Sequence, residues 1–114
     1  MPRPTFYLYK STRKDKKYRI EMPSPFDHIH HFGAKGMRDF TLINDKNNKF
    51  YINDKAEREK VKNAYISRHR RDKGLGSIHA PSELSMVILW SGKTLAAGIK
   101  NYEKKHDVNV KKMF

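Results

Sequence analysis

Apolar and polar positions alternate with a period of two near the start of the chain, where Phe6 and Leu8 fall between Thr5, Tyr7 and Tyr9. The run from Thr5 to Lys10 therefore predicts a β-strand. A charged stretch over residues 11–17 interrupts it, after which Tyr18 and Ile20 alternate with Arg19 and Glu21, so the two runs predict a hairpin. Pro23 and Pro25 end the second strand, because proline donates no hydrogen bond to a ladder. Residues 27–32, with Ile29 between two histidines, predict a third strand. Gly33 and Gly36 bracket a turn, beyond which Phe40, Leu42 and Ile43 begin another strand. That strand breaks at Asn44-Asp45-Lys46-Asn47-Asn48, residue types that tolerate left-handed backbone and bond to it locally. Phe50, Tyr51 and Ile52 then return as the second half of a second hairpin.

The period changes after residue 53. Asn53 or Asp54 can cap a helix with Glu57 and Glu59 in its first turns, and Val61, Ala64, Tyr65 and Arg68 follow at spacings of three and four. Arg68, Arg70, Arg71 and Lys73 collect at its end, where cations suit the dipole, and Gly74 stops it. Pro81-Ser82-Glu83 opens a second helix with Leu84, Val87, Ile88 and Ser91 on one face, closed by Gly92. Thr94 caps a third, with Leu95, Ile99, Tyr102 and His106 inward. Residues 107–114 alternate Val108 and Val110 with polar positions and predict an edge strand. The expected architecture is one α+β domain over residues 1–114: an antiparallel sheet of four to five short strands, then three helices and a C-terminal edge strand.

Composition narrows the function classes. Hydrophobic residues make up 37% of the chain and the longest apolar run covers residues 86–90, so the core is modest and no segment approaches the roughly 20 apolar residues of a membrane span. Met1-Pro2-Arg3-Pro4 leads into no apolar stretch of the secretory kind, and cysteine is absent, which together suggest the cytosol or nucleus. The net charge of +13 is spread along the chain: 11 basic residues stand against 5 acidic in residues 1–50, 8 against 4 in 51–80, and 6 against 3 in 81–114. A field of that sign favours any polyanionic partner, whether nucleic acid, an anionic membrane surface or an acidic protein.

Catalysis has no candidate centre. No phosphate-binding Gly-Lys-Ser/Thr element, nucleophile elbow or telling carboxylate pair occurs, and no cofactor or small-molecule substrate is implied. His28, His30 and His31 are the most enzyme-like cluster, yet no acidic residue sits at ligand spacing, and they read as cover for the sheet rather than as a metal site. Two features suit partner binding. One is the tip residue Lys35 between Gly33 and Gly36, which a tight turn presents to an anion. The other is the cluster Arg68-His69-Arg70-Arg71-Asp72-Lys73, able to hold carboxylates or phosphates bidentately or simply to solvate a helix end. Phe6, Tyr7, Tyr9 and Tyr18 can stack on single-stranded bases, but Phe6 is more readily placed in the core with the tyrosines covering the other side. Trp90 is read as core where the second helix meets the third.

The block His31-Phe32-Gly33-Ala34-Lys35-Gly36, continued by Arg38-Asp39-Phe40-Thr41, resembles the signature of small basic proteins of nucleocytoplasmic large DNA viruses. Tyr7-Leu8-Tyr9, the run Ser11-Thr12-Arg13-Lys14-Asp15-Lys16-Lys17, Tyr65-Ile66 with Arg68-His69, and Ile88-Leu89-Trp90 followed by Thr94-Leu95 and Ile99-Lys100 are similar in the same order. The segment 43–54 and the loop 74–80 depart from that pattern. The resemblance implies a viral origin but carries no catalytic or binding residue across. Together with the charge it leads to the expectation of a virion component, a minor capsid or cement protein contacting other capsid proteins after assembly in the host cytoplasm or nucleus. The alternative is a nucleic-acid-binding protein that organises the viral genome, although the dispersed charge and the absence of any reader motif weigh against it.

Overall fold

The alternating runs pair as their pattern predicts. In the computed structural model, which describes residues 3–114, β1 (Thr5–Lys10), β2 (Lys16–Met22) and β3 (His28–Ala34) form an antiparallel meander. Met1 and Pro2, at the head of the segment read for a secretory signal, lie outside the described residues. Leu8 stands opposite Ile20 and Tyr18 opposite Phe32, so one face carries Phe6, Leu8, Ile20, Met22 and Phe32, all buried. The other carries Tyr7, Tyr9, Arg19 and Glu21, none of them fully buried, with the Arg19 guanidinium 4.6 Å from the Tyr9 ring centroid. Phe6 and Tyr18 therefore belong to the packed side, and of the four aromatics only Tyr7 and Tyr9 face outward.

The C-terminal strand forms but changes the sheet's character. β4 (Asn109–Lys112) pairs with β1 in parallel, giving the order β3-β2-β1-β4 and a mixed sheet instead of the antiparallel one expected. The direction follows from the connection: the last helix ends at Asp107 in left-handed backbone (φ 55°) and delivers the chain to the end of the sheet where β1 also begins. Asn109 N–H donates to the Pro4 carbonyl at 2.8 Å, and the Arg3 guanidinium donates to the carbonyls of Glu103 and Val108, fixing that start.

The predicted second hairpin is absent. Phe40–Ile43 is instead a single helical turn, α1, because the Asp39 carboxylate accepts from Leu42 N–H and the i, i+3 spacing turns both Phe40 and Ile43 into the core. Residues 50–52 return alongside it through one backbone bond, Ile52 N–H to Ile43 C=O, rather than a ladder. A period-two reading failed here because Phe40 and Ile43, three apart, share one face of a helical turn as readily as Phe40 and Leu42 share one face of a strand.

The helix α2 (Lys55–His69) starts at an Asp54 cap, whose carboxylate accepts from Ala56 N–H. It ends at His69, five residues before Gly74, so Arg70 caps it and Arg71 and Lys73 lie in the turns beyond. No residue of α2 is fully buried, and Val61 and Tyr65 attach it to the body. The predicted second helix is split: α3 (Pro81–Leu84) widens at once into a π-helical turn over Ser85–Leu89. The wider turn lets the consecutive residues Val87, Ile88, Leu89 and Trp90 all bury. α4 (Leu95–His106) begins at the Thr94 cap, as expected, and seals this segment from outside with Ile99 and Tyr102.

Two features make this layer exacting. Gly98 of α4 lies so close to the π-helical turn that a Cβ there would sit 1.9 Å from the Ile88 carbonyl oxygen, backbone that cannot swing away. Glu83, 1% exposed, accepts from Gly76 N–H, Lys105 Nζ and His106 Nε2 at 2.6–2.8 Å. Burial alone would raise its pKa, but these donors hold the carboxyl below its ordinary value. On the sheet side His30 is pushed down, first by burial and then by the neighbouring His28 and His79.

Gly98→Ala is expected to destabilise the fold by about 3 kcal/mol or more, measured by urea unfolding, while Ala96→Ser on the exposed side of the same helix stays within about 0.5 kcal/mol. Equal midpoints for the two would contradict the close crossing. A carboxyl with a lowered folded pKa contributes stability above its ordinary value of 4.5 that is lost on acidification, and an imidazole with a lowered pKa makes unfolding take up a proton below 6.5. Stability should therefore fall as pH drops from about 6.5 toward 3. Glu83→Gln should cost about 2–3 kcal/mol at pH 7 and flatten the part of that decline below about pH 4.5, read from urea midpoints across the range.

Candidate anion-binding cleft

Gly33 (φ 79°) and Gly36 (φ 85°) hold the backbone where side-chain-bearing residues are strained, and turn the chain sharply at the end of β3. Met37 N–H donates to Ala34 C=O and Lys35 N–H to Asp15 C=O, which ties the turn to the β1–β2 loop. A Cβ on Gly33 would lie 2.9 Å from Leu89 Cδ1, so this glycine also admits the π-helical turn, whereas Gly36 faces open space.

Behind the turn lies a nearly buried ion pair. Lys17 Nζ donates to Asp39 Oδ2 and to the Met37 carbonyl, both at 2.7 Å, and Asp39 is 2% exposed. The other Asp39 oxygen accepts from Thr41 Oγ1 and Leu42 N–H, so the carboxylate has all its charge engaged. Across from it, Tyr65 of α2 stacks on Trp90 with centroids 4.0 Å apart and an interplanar angle of 8°, and His69 contacts the same tyrosine at 4.2 Å. Burial first, then Asp72 and Asp39 against the opposing Arg68, raise the Tyr65 pKa, so its hydroxyl stays protonated.

Between these walls is a cavity of about 490 Å³. The turn segment contributes Gly33, Ala34, Met37 and Arg38, the floor is Lys17 and Asp39, and α2 contributes Tyr65, Arg68 and His69. Ser85, Leu89 and Trp90 form the back. Gly33 of the glycine turn and Arg68 of the arginine cluster, far apart in sequence, thus share one cleft. Of the predicted binding residues, Arg68 lines it and is exposed rather than inward like Val61; Lys35, Arg70, Arg71 and Lys73 are exposed outside the lining. Among the described residues, none of these five, nor Arg38, takes part in an ion pair, while His69 is paired with Asp72 at 2.8 Å.

Lys17, Arg38 and Asp39 were not singled out as site residues from the sequence. The available signal was Asp39 three residues before Leu42, a cap spacing, which a strand assignment for residues 40–43 obscured. The histidines divide as alternation requires: His28 and His30 stack at 5.3 Å with His79 4.6 Å from His28, and His31 on the other face bonds Ser11 Oγ at 2.7 Å. Among the described residues no group of three His, Asp or Glu is placed to hold a metal ion, and no helix is long and apolar enough to cross a membrane.

No curated protein and no solved structure matches the chain. Residues 7–52 match the model of a family described as being of unknown function (DUF5754), a stretch that takes in most of β1, all of β2 and β3, the glycine turn and the Lys17–Asp39 pair but stops short of α2.

Proposed function

We propose that the protein is a non-enzymatic binding domain that docks on acidic surfaces of partner proteins, and that it serves as a minor capsid or cement component of a large DNA virus particle. The observation that carries the docking reading is the gathering of cations without acidic partners at two elements. Lys35, Arg38, Arg68, Arg70, Arg71 and Lys73 project from the glycine turn and the end of α2, while Lys17, Arg19 and Lys105 have carboxylates within 4 Å. Unpaired arginines gathered on two adjacent elements repel one another in the free protein, and that repulsion is relieved when a carboxylate surface arrives. The resemblance around His31-Phe32-Gly33-Ala34-Lys35-Gly36 supports the viral setting.

The test replaces Arg68, Arg70 and Arg71 together with Gln. Exposed charges contribute little to stability, so thermal unfolding should move by no more than about 2 °C. Incorporation into purified, genome-depleted particles, quantified by mass spectrometry, should fall about tenfold or more, because interfacial arginine pairs are worth several kcal/mol when one partner is removed. A variant that enters particles normally but no longer retains DNA in low-salt gel shifts would replace the docking reading with genome binding. Unchanged incorporation and unchanged DNA retention would leave these arginines as a solvated helix end.

A further inference from the structure

The cleft asks for more negative charge than a carboxylate brings. Its lining holds three obligatory cations, Lys17, Arg38 and Arg68, against one anion, Asp39. Both oxygens of Asp39 are already committed, to Lys17 on one side and to Thr41 and Leu42 on the other. Asp72, just beyond the end of α2 and outside the lining, is bonded to His69. The two guanidinium groups of the lining, Arg38 beside the glycine turn and Arg68 of α2, have no acceptor among the described residues. We propose that this cleft is a binding site for a phosphate monoester.

The charge match decides between anions. A phosphate monoester carries about −1.5 to −2 near neutral pH and presents three oxygens, which neutralises the excess of two in the lining and lets both arginines bind with paired N–H groups. One carboxylate would leave one guanidinium over. Size adds a second constraint: a cavity of about 490 Å³ is that of a small-ligand pocket and exceeds a lone oxyanion, so the phosphate arrives on an organic body. Ala34, Met37 and Leu89 supply apolar contacts for that body. Trp90 is buried and the Tyr65 ring is met by both Trp90 at 4.0 Å and His69 at 4.2 Å, which favours an aliphatic carrier over a nucleobase seeking a stacking partner. The stack and the Lys17–Asp39 pair hold the scaffold of the cleft in the free protein, so the ordering on binding is confined to the two exposed arginine side chains. This assignment rests on the cleft alone and not on the docking reading: it needs Arg38 and Arg68, which line the cleft, and not Arg70 and Arg71, which lie outside it.

Calorimetric titration of the full chain with O-phosphoserine should show saturable one-to-one binding. R38Q and R68Q should each weaken it about tenfold or more, whereas R70Q/R71Q should stay within about twofold, with circular dichroism confirming that every variant is folded. Two further probes separate the sources of the group: tighter binding of a short phosphoserine peptide assigns a phosphorylated side chain, and tighter binding of glucose 6-phosphate assigns a small phosphorylated metabolite. The proposal is overturned if glutamate binds as tightly as O-phosphoserine, if R38Q and R68Q bind like the parent, or if neither phosphate probe saturates by about 10 mM, weaker than a millimolar site. Loss of phosphate binding in R38Q with particle incorporation intact would separate the cleft from the docking surface.

Discussion

The crossing of α4 over the π-helical turn is the contact on which the rest of the molecule depends. Gly98 brings the helix onto the Ile88 carbonyl at a distance that any side chain would block, and the turn beneath presents Val87, Ile88, Leu89 and Trp90 in succession. Leu89 meets the glycine turn at the end of β3, and Trp90 carries Tyr65 and with it α2. A chain with 37% hydrophobic residues builds a small core, so a middle layer that buries four adjacent side chains makes unusually full use of them. Loosening that layer would unseat both walls of the cleft at once.

Charge plays two different parts in this fold. Inside, Glu83 and Asp39 are buried with their donors, and such pairs specify geometry more than they add stability, since desolvation offsets much of the attraction. Glu83 ties the 74–80 loop to α4 through Gly76, Lys105 and His106, and Asp39 ties β2 to α1 through Lys17 and Leu42. Outside, the surplus of basic residues has few acidic neighbours. The cations at the glycine turn and the end of α2 converge from two directions, so a dispersed charge along the chain becomes a local one in space.

The outward sheet face is a weaker candidate for contact. Tyr7 and Tyr9 do face away from the core, but Arg19 lies over Tyr9 and pairs with Glu21 at 2.9 Å, so that ring face is already covered. The histidines of β3 likewise have local roles: His28, His30 and His79 bring the 74–80 loop to the sheet edge, and His31 bonds Ser11.

Local pattern was enough for the elements whose signal is local. The period-two runs of β1 and β2, the glycine turn, the Asp54 and Thr94 caps, the burial of Trp90 and the C-terminal strand all follow from residues within a few positions of one another, as does the α+β class. The basic character was also legible, and of the candidate cleft Gly33 and Arg68 were, whereas Lys35, Arg70, Arg71 and Lys73 fall outside its lining. Tertiary structure decided what depends on distant atoms. Residues 40–43 became a helical turn because Asp39 is held by Lys17 from β2, and the predicted second helix widened because β3 and α4 press on it from two sides. β4 ran parallel to β1 because of where α4 releases the chain. The meeting of Arg38 with Arg68 is of the same kind: periodicity reports which face of an element is buried, but only packing determines which elements become neighbours, and so which charges share a cleft.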